Sequence, residues 1–156
     1  PNSVLLWGYV FGGVVRGIMT GIIVTVVALF FTDVQVYNFW VLTSVVLLSS
    51  ILFSLGGFIN ALYANKFDDV SIVPTFLLTP LSYLGGVFFS TDLLPDTWRL
   101  VSEFNPILYM VNGFRYGMLG VSDVSLVTCY SILIGTIIVL SYISMVLLKR
   151  GKGIRQ

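Results

Sequence analysis

The stretch VSLVTCYSILIGTIIVLSYISMVLL, residues 124–148, holds no charged side chain and is followed at once by KRGKGIRQ, residues 149–156. As a helix rising 1.5 Å per residue it would reach about 37 Å, enough for a hydrocarbon core about 30 Å thick. Backbone polar groups in lipid must find partners within the segment, so such a run is helical. Working backwards, residues 17–32, 34–65 and 70–91 are also free of charge. These runs predict four spans, about 7–31, 39–63, 70–90 and 124–148. A β-barrel would need alternating segments of about ten residues, which the chain lacks. The expected fold is an all-α, polytopic transmembrane helical bundle.

Composition agrees. Of 156 residues, 57% are hydrophobic and 10% charged, with a mean hydropathy of +1.00. Soluble domains carry roughly 25% charge, and a globule this small could not hide the excess hydrocarbon from water. The lipid bilayer is therefore the first expected partner. A net charge of +1 offers no basic face for nucleic acid. The chain has no histidine and one cysteine, Cys129, which removes His-based triads, His/Cys metal clusters and intrachain disulfides. No cofactor is expected.

Charges also orient the bundle. Four of the eight basic residues, Lys149, Arg150, Lys152 and Arg155, follow the last run, which places the C-terminal tail in the cytoplasm by the positive-inside rule. Counting back puts 91–123 and 32–38 outside and 64–69 inside. The outer segments hold Asp33, Asp92, Asp96, Glu103 and Asp123 against Arg99 and Arg115. Trp7, Tyr9, Tyr37, Trp40, Tyr63 and Trp98 mark the interfaces, as an aromatic belt predicts.

Within the first span, Gly13, Gly17 and Gly21 recur every fourth residue, as do Gly8 and Gly12. That spacing lets helices approach closely, either inside the bundle or against a second copy. Arg16 lies roughly 13 Å into the span counted from Trp7. It either snorkels to the cytoplasmic surface or faces a wet cavity. Ser and Thr in the second span, and its terminal Asn60, are expected to bond neighbouring helices or their own backbone. Asp68 and Asp69 are read as caps of the third span. In that span Pro74 and Pro80 break helix hydrogen bonds and Gly85-Gly86 follow. These four form a candidate hinge, with a static kink as the other reading. The outer segment predicts two short helices, about 95–104 and 106–119, from Pro95, Asn105-Pro106 and Gly120. The second is apolar yet too short to span, so it reads as re-entrant or as a surface helix. Asn112 and Arg115 lie three apart on one of its faces. Ser122 is read as the cap of the last span, and Cys129 as a small packing residue.

No acid falls in mid-span, so the relay of a proton- or sodium-coupled carrier is missing. No GxxxxGK[ST], HExxH or GxSxG pattern occurs, and an embedded enzyme is disfavoured. A passive pathway wall driven by a partner, or a scaffold without transport, remains. Residues 70–120, with the NP-x-x-Y-x-x-x-x-x-R pattern of Asn105, Pro106, Tyr109 and Arg115, strongly resemble the permease subunits of bacterial ABC-2-type exporters. GGVVRG, KFDD and the KRGKG tail extend the likeness over the whole chain. The resemblance implies six spans, a cytoplasmic coupling helix, and two permeases working with two ATPases. It makes this chain the C-terminal four-span portion of an inner-membrane permease, with re-entrant outer helices. It implies a cytoplasmic ABC ATPase and a second permease copy as partners, with ATP hydrolysis on the former. Asn105, Tyr109, Asn112 and Arg115 become candidate outer-gate residues. Drugs and lipid-linked glycans both remain open as cargo.

Overall fold

Asn38 lies near the start of the longest charge-free run, residues 34–65, and its carboxamide oxygen accepts from the Trp40 and Val41 amides. A side chain that fills two orphan amides starts a helix at that residue. The computed structural model describes residues 1–88 and 90–151; Lys152 and Arg155 of the basic tail lie outside that range. Helix α1 is Asn2–Leu29 and α2 is Phe39–Tyr63. Helix α3 (Asp69–Val73) passes through a widened turn, Pro74–Leu78, into α4 (Thr79–Leu84). A single 3-10 turn, Thr91–Leu93, precedes α5 (Asp96–Glu103), α6 (Pro106–Leu119) and α7 (Leu126–Lys149). Among the described residues every regular element is helical.

Among the described residues three helices, α1, α2 and α7, are long and apolar enough to cross a membrane. The third charge-free run behaves differently. Its helix occupies Asp69–Leu84, about 24 Å at 1.5 Å per residue, and ends well before residue 90. Pro74 lacks an amide, so the Val70 carbonyl one turn back loses its helical partner. The Asn60 side-chain nitrogen, Nδ2, on α2 donates to that carbonyl at 2.8 Å. The Thr79 hydroxyl donates to the Pro74 carbonyl across the widened turn at 3.3 Å. Gly86, at φ 77, then turns the chain in the left-handed region that favours glycine.

Local capping departs from expectation in two places. Ser125, not Ser122, caps α7, with its hydroxyl accepting from the Thr128 amide. The Ser122 hydroxyl instead donates to the Val124 carbonyl. Asp69 does not serve the amides of its own helix. Its carboxylate accepts from the Asn65 and Lys66 amides, closing the short loop between α2 and α3, and Asp68 makes no side-chain cap bond.

Packing centres on α2, which lies against α1, α6 and α7. One buried cluster joins Leu6 and Val10 of α1 to Leu55 and Phe58 of α2 and Leu148 of α7. A second joins Leu52 of α2 to Ile107, Leu108, Tyr109 and Met110 of α6, together with Cys129 and Leu133 of α7. Cys129 is completely buried there, as a small packing side chain. The Ser44 hydroxyl and the Tyr130 hydroxyl hydrogen-bond across α2 and α7. Other span hydroxyls, those of Ser50 and Ser54 among them, donate to carbonyls of their own helix.

Glycines set the closest approaches. A Cβ at Gly117 would fall 2.8 Å from the Leu42 Cα, and one at Gly113 would fall 2.8 Å from Val45 Cγ2. These pairings run α6 antiparallel along the first half of α2. Gly13 and Gly17 of α1 face the Ser54 and Ser50 side chains in the same way. Gly8, Gly12 and Gly21 have nothing within 4 Å, so within this chain they bring no helices together. Gly120, at φ 74, closes α6 and lies against the Tyr37 ring.

Candidate functional site

Asn105 precedes Pro106 and is 2% exposed. Its side-chain oxygen accepts from the Ile107 amide at 3.0 Å, which starts α6. Its side-chain nitrogen donates to the Leu81 carbonyl at 2.6 Å. Leu81 lies in the last turn of α4, where carbonyls run out of helical donors. One asparagine thus starts one helix and finishes another.

Three further α6 side chains act outward from that junction. The Tyr109 hydroxyl donates to the Glu103 carbonyl at 2.7 Å, holding the end of α5. Burial, and then the Glu103 carboxylate, push the Tyr109 phenol above the ordinary tyrosine value, so it stays a donor. Asn112 is 1% exposed. It donates to the Leu108 carbonyl at 2.9 Å and accepts from the Asp123 amide at 2.8 Å. Arg115 donates through Nη2 to the Gly86 carbonyl at 2.9 Å and through Nη1 to the Asp123 carboxylate at 3.1 Å. The Ser90 hydroxyl also donates to that carboxylate, at 2.8 Å. The four sequence-singled residues therefore form one polar clamp. It ties α6 to the end of α4, to α5 and to the chain entering α7.

Asp123 and Ser90 complete the clamp. The signal for Asp123 is an acid eight residues after Arg115, across the left-handed turn at Gly120. Ser90 carries none, because only the fold brings it near. Of the four hinge candidates, Pro74 opens the widened part of the α3–α4 helix and Pro80 follows two residues after it. Gly85 packs on Ile107, where a Cβ would fall 2.7 Å from Cγ2. Gly86 supplies the carbonyl that Arg115 holds.

Below the clamp lies a cavity of about 950 Å³ between α1, α2 and α6. Its wall runs from Arg115, Phe114 and Met118 on α6 to Gly13, Arg16 and Gly17 on α1. Helix α1 begins at Asn2, so Arg16 stands at its midpoint, about 20 Å from each end at 1.5 Å per residue. Among the described residues its guanidinium has no ion-pair or hydrogen-bond partner, and no group of three or more metal-ligating side chains occurs.

Long apolar helices thus line a cavity whose wall reaches Arg115 of the polar clamp. The chain belongs to the ABC-2 type transporter family, whose pattern matches residues 1–119. It is 51% identical over 156 residues to the inner membrane transport permease YadH of Escherichia coli K12, and equally to that of Shigella flexneri. The alignment covers 99% of this chain and 60% of those relatives, so the chain spans less than two thirds of their length. It is also 30% identical over 97 residues to nodulation protein J of Rhizobium leguminosarum bv. viciae, covering 62% of this chain and 37% of that one. No solved structure matches.

Proposed function

We propose that the chain forms the pathway wall of an ATP-driven exporter in a bacterial inner membrane. It would work as a dimer of permeases with a separate cytoplasmic ABC ATPase. The observation that carries this reading is the 950 Å³ cavity between α1, α2 and α6, in a chain of the ABC-2 type transporter family. Its volume lies within the range of small-molecule sites. The name of the YadH relatives, inner membrane transport permease, supports the location.

In this reading α1, α2, α7 and the α3–α4 segment are the four spans, with the tail and the 64–69 loop in the cytoplasm. The α5–α6 hairpin is re-entrant. Supporting this, α6 runs antiparallel along α2 from Leu42 at Gly117 to the buried cluster of Leu52 with Ile107 and Leu108. Asn105, Tyr109, Asn112 and Arg115 hold the outer gate shut. The widened turn at Pro74–Leu78 and the Gly85-Gly86 corner let the α4 end move when the gate opens. The exposed faces of α1, including Gly21, suit a second copy.

Co-purification tests the reading. The full-length protein, expressed with its neighbouring ATPase and reconstituted in lipid, should hold that subunit and stimulate its hydrolysis. Failure of the two to associate would overturn the exporter.

A further inference from the structure

Asp123 stands where the chain after α4 meets α6 and the approach to α7. Its Oδ2 accepts from Arg115 Nη1 at 3.1 Å and from the Ser90 hydroxyl at 2.8 Å. Its backbone amide donates to the Asn112 side-chain oxygen at 2.8 Å, and Asn112 is buried. The carboxylate is therefore anchored on α6 through its own backbone while it reaches the chain beyond α4. A guanidinium presents its donors in a rigid fork. With Nη1 held by Asp123, Nη2 is aimed at the Gly86 carbonyl, 2.9 Å away.

The two sides of this junction are fastened differently. The end of α6 is tied to the start of α2 by backbone: the Tyr37 and Asn38 amides donate to the Met118 and Gly117 carbonyls at 3.2 and 2.9 Å. Gly117 also lies against the Leu42 backbone. Among the described residues, no backbone–backbone hydrogen bond joins the 85–90 segment to α6 or α7. Its hydrogen bonds to them come from side chains, Arg115 at Gly86 and Asp123 at Ser90. Access to water differs as well. Asn105 and Asn112 are 2% and 1% exposed, so breaking their bonds would orphan buried groups. The Arg115 and Asp123 side chains are 23% and 22% exposed, so water can take over their hydrogen bonds when they part. Arg115 and Val87, the residue after Gly86, both line the cavity, so a parting there changes its wall.

We propose that Asp123 is the positioning residue of the outer gate. It holds Arg115 and Ser90 together and so keeps the chain after α4 on α6. The gate opens when this contact is exchanged for water, while Asn105 and Asn112 stay bonded and α6 stays on α2. This role rests on the gate reading and deepens it, since it assigns the release step to a residue outside the NP-x-x-Y-x-x-x-x-x-R pattern.

The test places the full-length protein in liposomes loaded with carboxyfluorescein and follows dye release without ATP. Asp123→Asn, which removes the charge and keeps the shape, should release dye about tenfold faster than the native protein. Asp123→Glu should stay close to native, and so should Asp92→Asn in the exposed pair with Arg99. Ser90→Cys with Asp123→Cys, in a Cys129→Ser background, makes the contact reversible and carries the test if Asp123→Asn does not fold. Reduced, this protein should leak; oxidised, it should be tight; dithiothreitol should bring the leak back. Damage to the fold alone would not follow the redox state. Fast release from Arg115→Ala with none from Asp123→Asn would overturn the role of Asp123 and leave the gate standing. No added release from either would overturn the proposal and the gate together. Equal release from the cross-linked and reduced protein would sink the proposal, because the contact would then not control the opening.

Discussion

Asn60 and Arg115 illustrate how single side chains complete broken backbone in this bundle. Proline 74 frees the Val70 carbonyl, and Asn60 supplies the missing donor from a different helix. In a medium without water an orphaned carbonyl costs about 1–3 kcal/mol. Asn60→Leu is therefore expected to destabilise the protein by about that amount, read as a lower melting temperature in detergent. In an Asn60→Leu, Pro74→Ala double variant the regained amide should return part of the loss. Independent, additive losses would count against the pairing. Arg115 acts likewise at the Gly86 carbonyl, and it also meets Asp123 with both side chains nearly four-fifths shielded, at 23% and 22% exposure. Partial burial raises that ion pair above an ordinary surface bridge. Arg115→Ala and Asp123→Ala should each destabilise, and a double-mutant cycle should return a coupling of about 0.5–3 kcal/mol. In transport, Arg115→Ala should raise resting leak. The exposed Arg99–Asp92 pair, at 52% and 60% exposure, should show almost no coupling by the same measurement.

At the scale of elements, helix spacing follows from where glycine stands. Gly117 and Gly113 let α6 lie directly on the α2 backbone and on Val45. Gly117→Ala would drive a methyl into Leu42 and is expected to cost about 1–3 kcal/mol through overpacking. Gly21→Ala meets nothing within 4 Å and should be neutral or slightly stabilising in thermal unfolding of an isolated protomer. If Gly21→Ala instead weakens association between copies, measured by sedimentation in detergent, the glycine serves the dimer. Start and stop signals for α6 were legible: a capping asparagine, a first-turn proline and a left-handed glycine depend only on local backbone chemistry. The α7 cap was misplaced by three residues, because Ser122 and Ser125 are equivalent in sequence. Only the path of the chain from Asp123 selects the second. The third apolar run was also read as longer than the helix it forms. Loss of charge marks where lipid can lie, but the Gly85-Gly86 corner and its partners on α6 decide where the helix stops.

At the scale of the whole molecule, orientation is the outstanding expectation. With Cys129 replaced by serine, a cysteine at Lys66 should resist a membrane-impermeant maleimide in intact cells, while one at Thr32 should react. The reverse pattern would invert the bundle. Composition, charge-free runs and local caps were enough to determine that the chain is helical, that it belongs in a bilayer, and which side chains are unusual there. These are properties of each segment against its solvent, and they need no knowledge of neighbours. Which segments meet was decided only by the tertiary structure. It joined Asn105 to Leu81, Arg115 to Gly86 and Asp123, and Asn60 to Val70, pairs whose hydrogen bonds depend on distances that sequence separation does not encode. It also brought Arg16 and Arg115 to the wall of one cavity. The reason is that lipid rewards every apolar face alike, so close packing and the satisfaction of scarce polar groups must choose among the arrangements.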